Sequence, residues 1–281
     1  AFTSWVSGDT MAFFERLGVP LKVERGNRVF PVSDRAFDIS AALERRLKAL
    51  HVRWAHDRAL DIETADGAVC AVRGEGESYP ADAVILATGG VSYPATGSTG
   101  DGHRLAAALG HTVTELDGSL VPLEGVIAPG VPCARLQGLS LRNVGLTVYE
   151  GKKKIYQDFG ELLFTHFGVS GPLVLSASAH MRHFGKKDYR FEIDLKPALD
   201  QNQLDKRLLA DFQKYLNHDF RNALDDLLPQ KLIPVVIELS GIPPQEKVHD
   251  ITREQRLALL AVLKAFPVAI TKKRPVTDAI V

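Results

Sequence analysis

Ala83-Val84-Ile85-Leu86-Ala87-Thr88-Gly89-Gly90, continuing as Val91-Ser92-Tyr93-Pro94-Ala95-Thr96-Gly97-Ser98-Thr99-Gly100-Asp101-Gly102, is the stretch on which the reading of this chain turns. The unbroken apolar run 83–86 predicts a strand buried on both faces, as in the parallel sheet of an α/β protein. Thr88-Gly89-Gly90 stops it with residues that let the backbone turn and approach something closely. Residues 97–102 are three glycines and three small polar residues, set just before a helical pattern at 103–109. A strand, a Gly-rich loop and a helix N-terminus make an anion site, because free amides and the helix dipole point at the loop. A dinucleotide phosphate is the natural guest, and a plain strand-to-helix connection is the competing reading.

Upstream, residues 11–17 predict a short helix capped by Asp9 or Thr10 and ended by Gly18. Residues 21–24 and 28–30 predict strands about a tight turn at 25–27. Residues 37–50 have the apolar spacing of an amphipathic helix, preceded by Ser33 or Asp34. A strand at 52–54 and an antiparallel run at 59–63 and 68–72, turning at Asp66-Gly67, then lead through 78–80 to the central stretch. Downstream come a strand at 112–116, a Gly/Pro-rich segment at 124–139, and strands at 141–149 and 154–159. Leu162-Leu163-Phe164-Thr165-His166-Phe167-Gly168-Val169-Ser170-Gly171-Pro172 leads into a helix at 173–181. A strand at 189–195, helices at 203–215, 222–228, 231–239 and 253–265, and a strand-like run at 266–271 complete the pattern.

At 281 residues, two domains are the expectation. Lys+Arg and Asp+Glu both number 34, so the net charge of zero points to no nucleic-acid or membrane partner. Cys70 and Cys133 lie far apart without a pairing pattern, which fits a reducing cytoplasm. No apolar run reaches the roughly 18 residues of a membrane-spanning helix.

Arg28-Val29-Phe30-Pro31-Val32-Ser33-Asp34, Leu86-Ala87-Thr88-Gly89-Gly90, Ser92-Tyr93-Pro94, Thr96-Gly97-Ser98-Thr99-Gly100-Asp101-Gly102, Ser119-Leu120-Val121-Pro122-Leu123 and Gly160-Glu161-Leu162-Leu163-Phe164-Thr165-His166 occur in this order. Together they resemble the bacterial NAD(P)/FAD-dependent oxidoreductases known as BaiN-like or aminoacetone-oxidase-like flavoproteins. The resemblance implies a mixed α/β and α+β fold: a partial glutathione-reductase-type FAD-binding domain with an inserted β-barrel and small helical domain. On that basis 1–117 is the partial FAD-binding domain. The insert is 118–272 (barrel 118–196, helices 200–265), and 273–281 returns to the FAD-binding domain. Members of the family open with a G-x-G-x-x-G finger and continue past the equivalent of Thr277-Asp278-Ala279-Ile280-Val281. Neither extension is matched here, so the resemblance implies an internal fragment. Gly118 stands where the family usually has Pro.

The resemblance also implies site residues. FAD would meet the Ala59 backbone at its adenine, and Thr88, Gly89 and Gly90 at its pyrophosphate. Tyr93, Thr96, Gly97, Ser98, Gly100 and Asp101 would lie on the flavin side. Against these stand an ordinary sheet strand at Ala59, a helix cap at Asp101 and simple packing at Tyr93. In the expected insert, His166 or Glu161 would face the flavin and move a proton, His166 being the better donor near neutral pH. The competing reading makes His166 a hydrogen-bonded core residue. His180 and His183, at i and i+3, lack a third ligand and read as a solvated face, so no metal site is expected. Lys272, Lys273 and Arg274 fit either an anion contact, such as a nicotinamide phosphate, or plain surface. The function implied is hydride transfer between NAD(P)H or a small organic substrate and FAD. The alternative is a non-catalytic binding module that does not retain FAD by itself.

Overall fold

The computed structural model describes residues 4–24 and 27–280, divided into two compact units after Val84. In the first unit, α1 (Ser7–Arg16) precedes a hairpin of β1 (Leu21–Glu24) and β2 (Arg28–Pro31). Then come α2 (Phe37–Ala49) and an antiparallel meander of β3 (Ala59–Ala65), β4 (Ala68–Gly74) and β5 (Ser78–Pro80). The turn expected at 25–27 involves Arg25 and Gly26, which lie outside the described residues. The cap of α1 is Val6, not Asp9 or Thr10. Asp9 sits at the third helical position and reaches back to accept the Val6 N–H at 2.8 Å, the acidic half of a capping box.

The meander is pinned by one carboxylate. Asp57 accepts backbone N–H bonds from Arg58, Glu75, Gly76 and Glu77 and a hydroxyl bond from Tyr79, at 2.8–3.3 Å. It occupies the space of a Gly74 side chain, whose Cβ would lie 2.1 Å from Asp57 Oδ2. Burial opposes its charge, but the Gly76 amide, the Tyr79 hydroxyl and the other donors outweigh this and lower its pKa.

The second unit runs through α3 (Asp101–Ala108), β6 (Leu123–Ala128), β7 (Val131–Pro132), β8 (Ser140–Glu150) and β9 (Lys153–Phe164). It continues with β10 (Gly168–Ser170), α4 (Pro172–Ser178), β11 (Tyr189–Asp194), α5 (Gln201–Lys214), α6 (Ile233–Ser240), α7 (Arg253–Lys264) and β12 (Phe266–Lys273). The strands pair in the order β10-β9-β8-β11-β12-β6, and a further β10–β6 pairing closes six of them into a barrel, with β7 appended to β6. Alternation sets the inside. Along β11, Tyr189, Phe191 and Ile193 are buried, while Arg190 is exposed and Glu192 and Asp194 are partly so. Leu146, Val148, Phe164, Phe266 and Val268 meet them in a core that continues into the helices through Leu208 and Leu263. The α5 and α7 helices start from capping boxes, Asp200 with Gln203 and Thr252 with Gln255.

Glycine closes the seam. A Cβ on Gly168 would lie 2.1 Å from the Leu123 carbonyl oxygen and 2.8 Å from the Gly125 nitrogen. The chain enters and leaves the barrel side by side. Arg274 N–H bonds the Pro122 carbonyl at 3.0 Å and Ile280 N–H bonds that of Leu120 at 3.1 Å. Gly118 sits where these connectors touch, its missing Cβ 2.7 Å from Val121 Cγ1 and 3.4 Å from Val276 Cα.

Several expectations are corrected. The run 83–86 forms no strand, and Ile85 and Leu86 are 91% and 40% exposed. A strand of that type needs paired neighbours on both sides. Every pairing among the described residues is antiparallel and none involves this run. Residues 52–54 and 112–116 likewise stay outside any ladder. Residues 222–228 form turns after a short 3-10 segment, Phe220–Asn222, rather than a helix. There Asp226 is taken by Lys214 and Tyr215 and Asp225 by Gln230, and Pro229 blocks helical continuation.

Candidate functional site

The glycines of the deciding stretch fold the chain back on itself. Gly100 N–H donates to the Gly90 carbonyl at 3.1 Å. Cβ atoms on Gly89 and Gly102 would lie 2.9 Å from Ser98 Oγ and 2.3 Å from Thr88 Oγ1. Thr88, Gly89 and Gly90 therefore lie against Gly102, Ser98 and Gly100, with no room for a side chain on Gly89 or Gly102. Gly97 forms the bend at φ 99°, a backbone that favours glycine. Tyr93 is also left-handed, at φ 50°, held by its N–H bond to Thr277 at 3.1 Å and by both Thr96 donors on its carbonyl at 2.8 Å. Its ring stays about half exposed.

Gly100, not Asp101, caps α3. Asp101 occupies the first helical position, accepting the Thr99 hydroxyl at 2.9 Å and meeting Arg104 at 3.5 Å. One turn in, His103 was not foreseen. Its Nδ1 is buried and has no hydrogen-bond partner among the described residues. It lies 3.9 Å from where a Gly100 Cβ would stand. By contrast, a side chain on Gly90 would meet nothing within 4 Å. The loop thus joins an open glycine face, first-turn amides and an orphaned polar nitrogen, which fits a phosphate-bearing ligand.

Ala59, in the other unit, opens β3 opposite Gly74, beside the Asp57 anchor. Glu161 is exposed on β9 and accepts the Ser140 hydroxyl at 2.7 Å. His166 is exposed at the tip of the β9–β10 turn, closed by Thr165 N–H to the Gly168 carbonyl at 2.9 Å, so it is not a core histidine. The His166 ring packs edge-on to Phe167 at 5.0 Å. Arg274 covers the Phe167 ring at 4.8 Å and is paired with Glu124 and Asp278. Lys273 is likewise committed to Asp117 at 2.8 Å. His180 and His183 lie beyond the end of α4: His180 stacks on Tyr156 at 4.7 Å and His183 Nδ1 meets Glu150 at 2.7 Å. The helical region adds a cleft of about 610 Å³ floored by Ile233, Ile237 and Ile242, which sequence reasoning did not anticipate. No described helix is long and apolar enough to cross a membrane.

A closed antiparallel barrel with a helical cluster, following a glycine loop at a helix N-terminus, defines the class of protein. The chain belongs to the HI0933-like family: residues 117–281 match its barrel and H2TH domain, which bears out the BaiN-like resemblance of the motifs. It is 30% identical over 237 residues, 84% of this chain and 57% of the relative, to the 3-dehydro-bile acid delta(4,6)-reductase of Clostridium scindens. It is 33% identical over 170 residues (60% of this chain, 39% of the relative) to the ribosomal RNA dihydrouridine synthase of Haemophilus influenzae. The Escherichia coli enzyme of that name is 26% identical over 190 residues, 67% of this chain and 44% of the relative. The chain spans about half the length of the relatives it matches.

Proposed function

We propose that this chain belongs to a flavin-dependent reductase acting on a carbon–carbon double bond conjugated to a carbonyl. The observation that carries the cofactor half is the doubled-back loop of Thr88–Gly90 and Ser98–Gly102, with the orphaned His103 nitrogen at the start of α3. The substrate half is supported by the names of the relatives: a 3-oxo steroid diene and the uracil ring share an alkene conjugated to a carbonyl.

FAD, bound and reduced by NAD(P)H, would supply the hydride. The chain's own contributions are positional. Loop and first-turn amides hold the pyrophosphate, and Gly90 leaves the backbone open to it. His166, exposed on a turn fixed by Gly168, delivers a proton to the carbon α to the carbonyl; Glu161 is the second candidate donor. The free thiols Cys70 and Cys133 accord with a cytoplasmic setting.

The exposed run at Ile85 and Leu86 favours a second reading, in which the chain by itself does not retain flavin. Flavin absorbance after desalting, with and without added FAD, separates the two. Gly90→Val is the matched probe, since a Cβ at this position meets nothing within 4 Å. Uptake by the parent and loss in Gly90→Val are expected; equal uptake by both would remove the loop from the cofactor site, and none by either would favour the second reading.

A further inference from the structure

The cleft in the helical region takes no part in the reductase reading. Its volume of about 610 Å³ falls within the range of about 300–1,000 Å³ that holds small organic ligands. Ile233 and Ile237, one turn apart on α6, and Ile242 beyond its end form the floor, each no more than 6% exposed. Pro234, Pro243 and Pro244 also line it and are exposed. A proline has no N–H, so these rings offer apolar surface without a donor. The walls are braced. Phe220 N–H bonds the Glu246 carbonyl at 2.9 Å, Arg221 N–H bonds that of Pro244 at 3.0 Å, and Asp219 bridges to Lys247 through the backbone. The segments before and after α6 therefore form one frame, and the cleft exists before a ligand arrives.

Its polar lining carries two charges that the chain leaves unbalanced. Asp219 accepts from both Lys247, at 2.9 Å, and Arg221, at 3.2 Å. One carboxylate between two cations leaves a surplus positive charge, and Arg221 lines the cleft together with the exposed amide of Asn222. Asp225, in the same lining, is in no ion pair among the described residues; its partner is the neutral Gln230 amide at 2.8 Å. The cation next to Gln230 in the chain, Lys231, bonds the Gln137 carbonyl instead. Glu238, the remaining charged residue of the lining, is neutralised by Arg135 at 2.5 Å.

We propose that this cleft binds a small zwitterion with apolar side chains, of the class of an apolar dipeptide. The carboxylate meets Arg221 and Asn222, the ammonium meets Asp225, and the side chains cover the isoleucines. A monoanion would face Asp225 uncompensated, a monocation would face Arg221, and an uncharged ligand would bury both charges unpaired. Two side chains suit a floor that runs from the first residue of α6 to beyond its last. The site uses no residue of the glycine loop, so its failure would leave the reductase reading untouched.

The test is isothermal titration calorimetry with leucyl-phenylalanine, its N-acetyl and C-amide forms, the doubly blocked form, and glycyl-glycine. Expected is saturable binding of the free dipeptide by the parent with Kd below about 1 mM. Each blocked form should bind at least about tenfold more weakly, as for the loss of a charged hydrogen bond, and glycyl-glycine should not bind. Arg221→Gln should weaken the free dipeptide but not the amide, and Asp225→Asn the free dipeptide but not the acetyl form, which assigns each charge to its partner. Both replaced side chains are exposed, both variants are checked for an unchanged melting curve, and the comparison of free and blocked ligands on the parent is independent of either. No saturable binding at millimolar ligand, equal binding of the doubly blocked form, or variants that weaken every ligand alike would overturn the proposal.

Discussion

Gly168→Ala tests how the barrel is closed. The new methyl would sit 2.1 Å from the Leu123 carbonyl oxygen, 2.8 Å from the Gly125 nitrogen and 2.9 Å from Glu124 Cα. All three are backbone atoms, so no rotamer change relieves the clash, and ordinary contact requires the strands to part by more than about 1 Å. Parting them breaks the two-residue β10–β6 pairing, Gly168↔Glu124 and Val169↔Leu123, which is the seam. Overpacking costs about 1–3 kcal/mol and each lost ladder bond about 1 kcal/mol. Stiffening of the unfolded chain returns about 0.5–1 kcal/mol. The net is about 3 kcal/mol of destabilisation, which in a unit of this size lowers Tm by about 6–12 °C. Gly160→Ala is the control: it lies on the same hairpin, with only ordinary contacts to Leu173 at 3.7 and 3.8 Å, and should leave Tm unchanged or slightly higher. Thermal melts by circular dichroism decide it. A Gly168→Ala protein melting within about 2 °C of the parent would refute the seam argument.

Gly102→Ala should disturb the loop by pressing on Thr88 Oγ1, and Thr88→Ala/Gly102→Ala should restore it, read as flavin uptake and as protease resistance near residue 88. Burial and the Asp57 hydrogen bond push the Tyr79 hydroxyl up to about 12; the stability it contributes is intact below about pH 10 and lost as pH rises from there through the folded value of about 12. In an ultraviolet titration, Asp57→Ala should bring one late-ionising tyrosine back toward the ordinary range. Glu150 is held below the usual carboxylate range by the His183 and Tyr189 hydrogen bonds, so its contribution is present above its unfolded value and disappears as pH falls through the lower folded one. Glu150→Gln should flatten that acid limb of a stability–pH curve. Thr252→Ala removes the cap bond to Gln255 N–H and should lower stability by about 1 kcal/mol in urea melts.

What could be read from the sequence followed local rules. The alternation from Tyr189 onward and the apolar spacing of 253–265 found β11 and α7 almost to the residue. Residues 83–86 misled for a physical reason: an apolar run reports a preference for burial, not whether neighbours exist to provide it. The 222–228 segment misled because side-chain bonds to Asp225 and Asp226 compete with the helix. Glycine spacing flagged the loop, but that Gly102 faces Thr88 is a fact of three dimensions. His103 had no signal beyond its place after the glycines, since an unpartnered buried nitrogen exists only in the fold.

The hydrogen bond between Ile280 and Leu120 has a topological consequence. To the polypeptide before Leu120, the barrel and its helices are a long excursion that returns to its starting point, as a hairpin loop does. Loop-closure entropy grows only with the logarithm of length, so bringing the two ends of this excursion together costs little more than closing a surface turn. The helices and clefts within it can be remodelled while the two connecting strands of backbone stay in register.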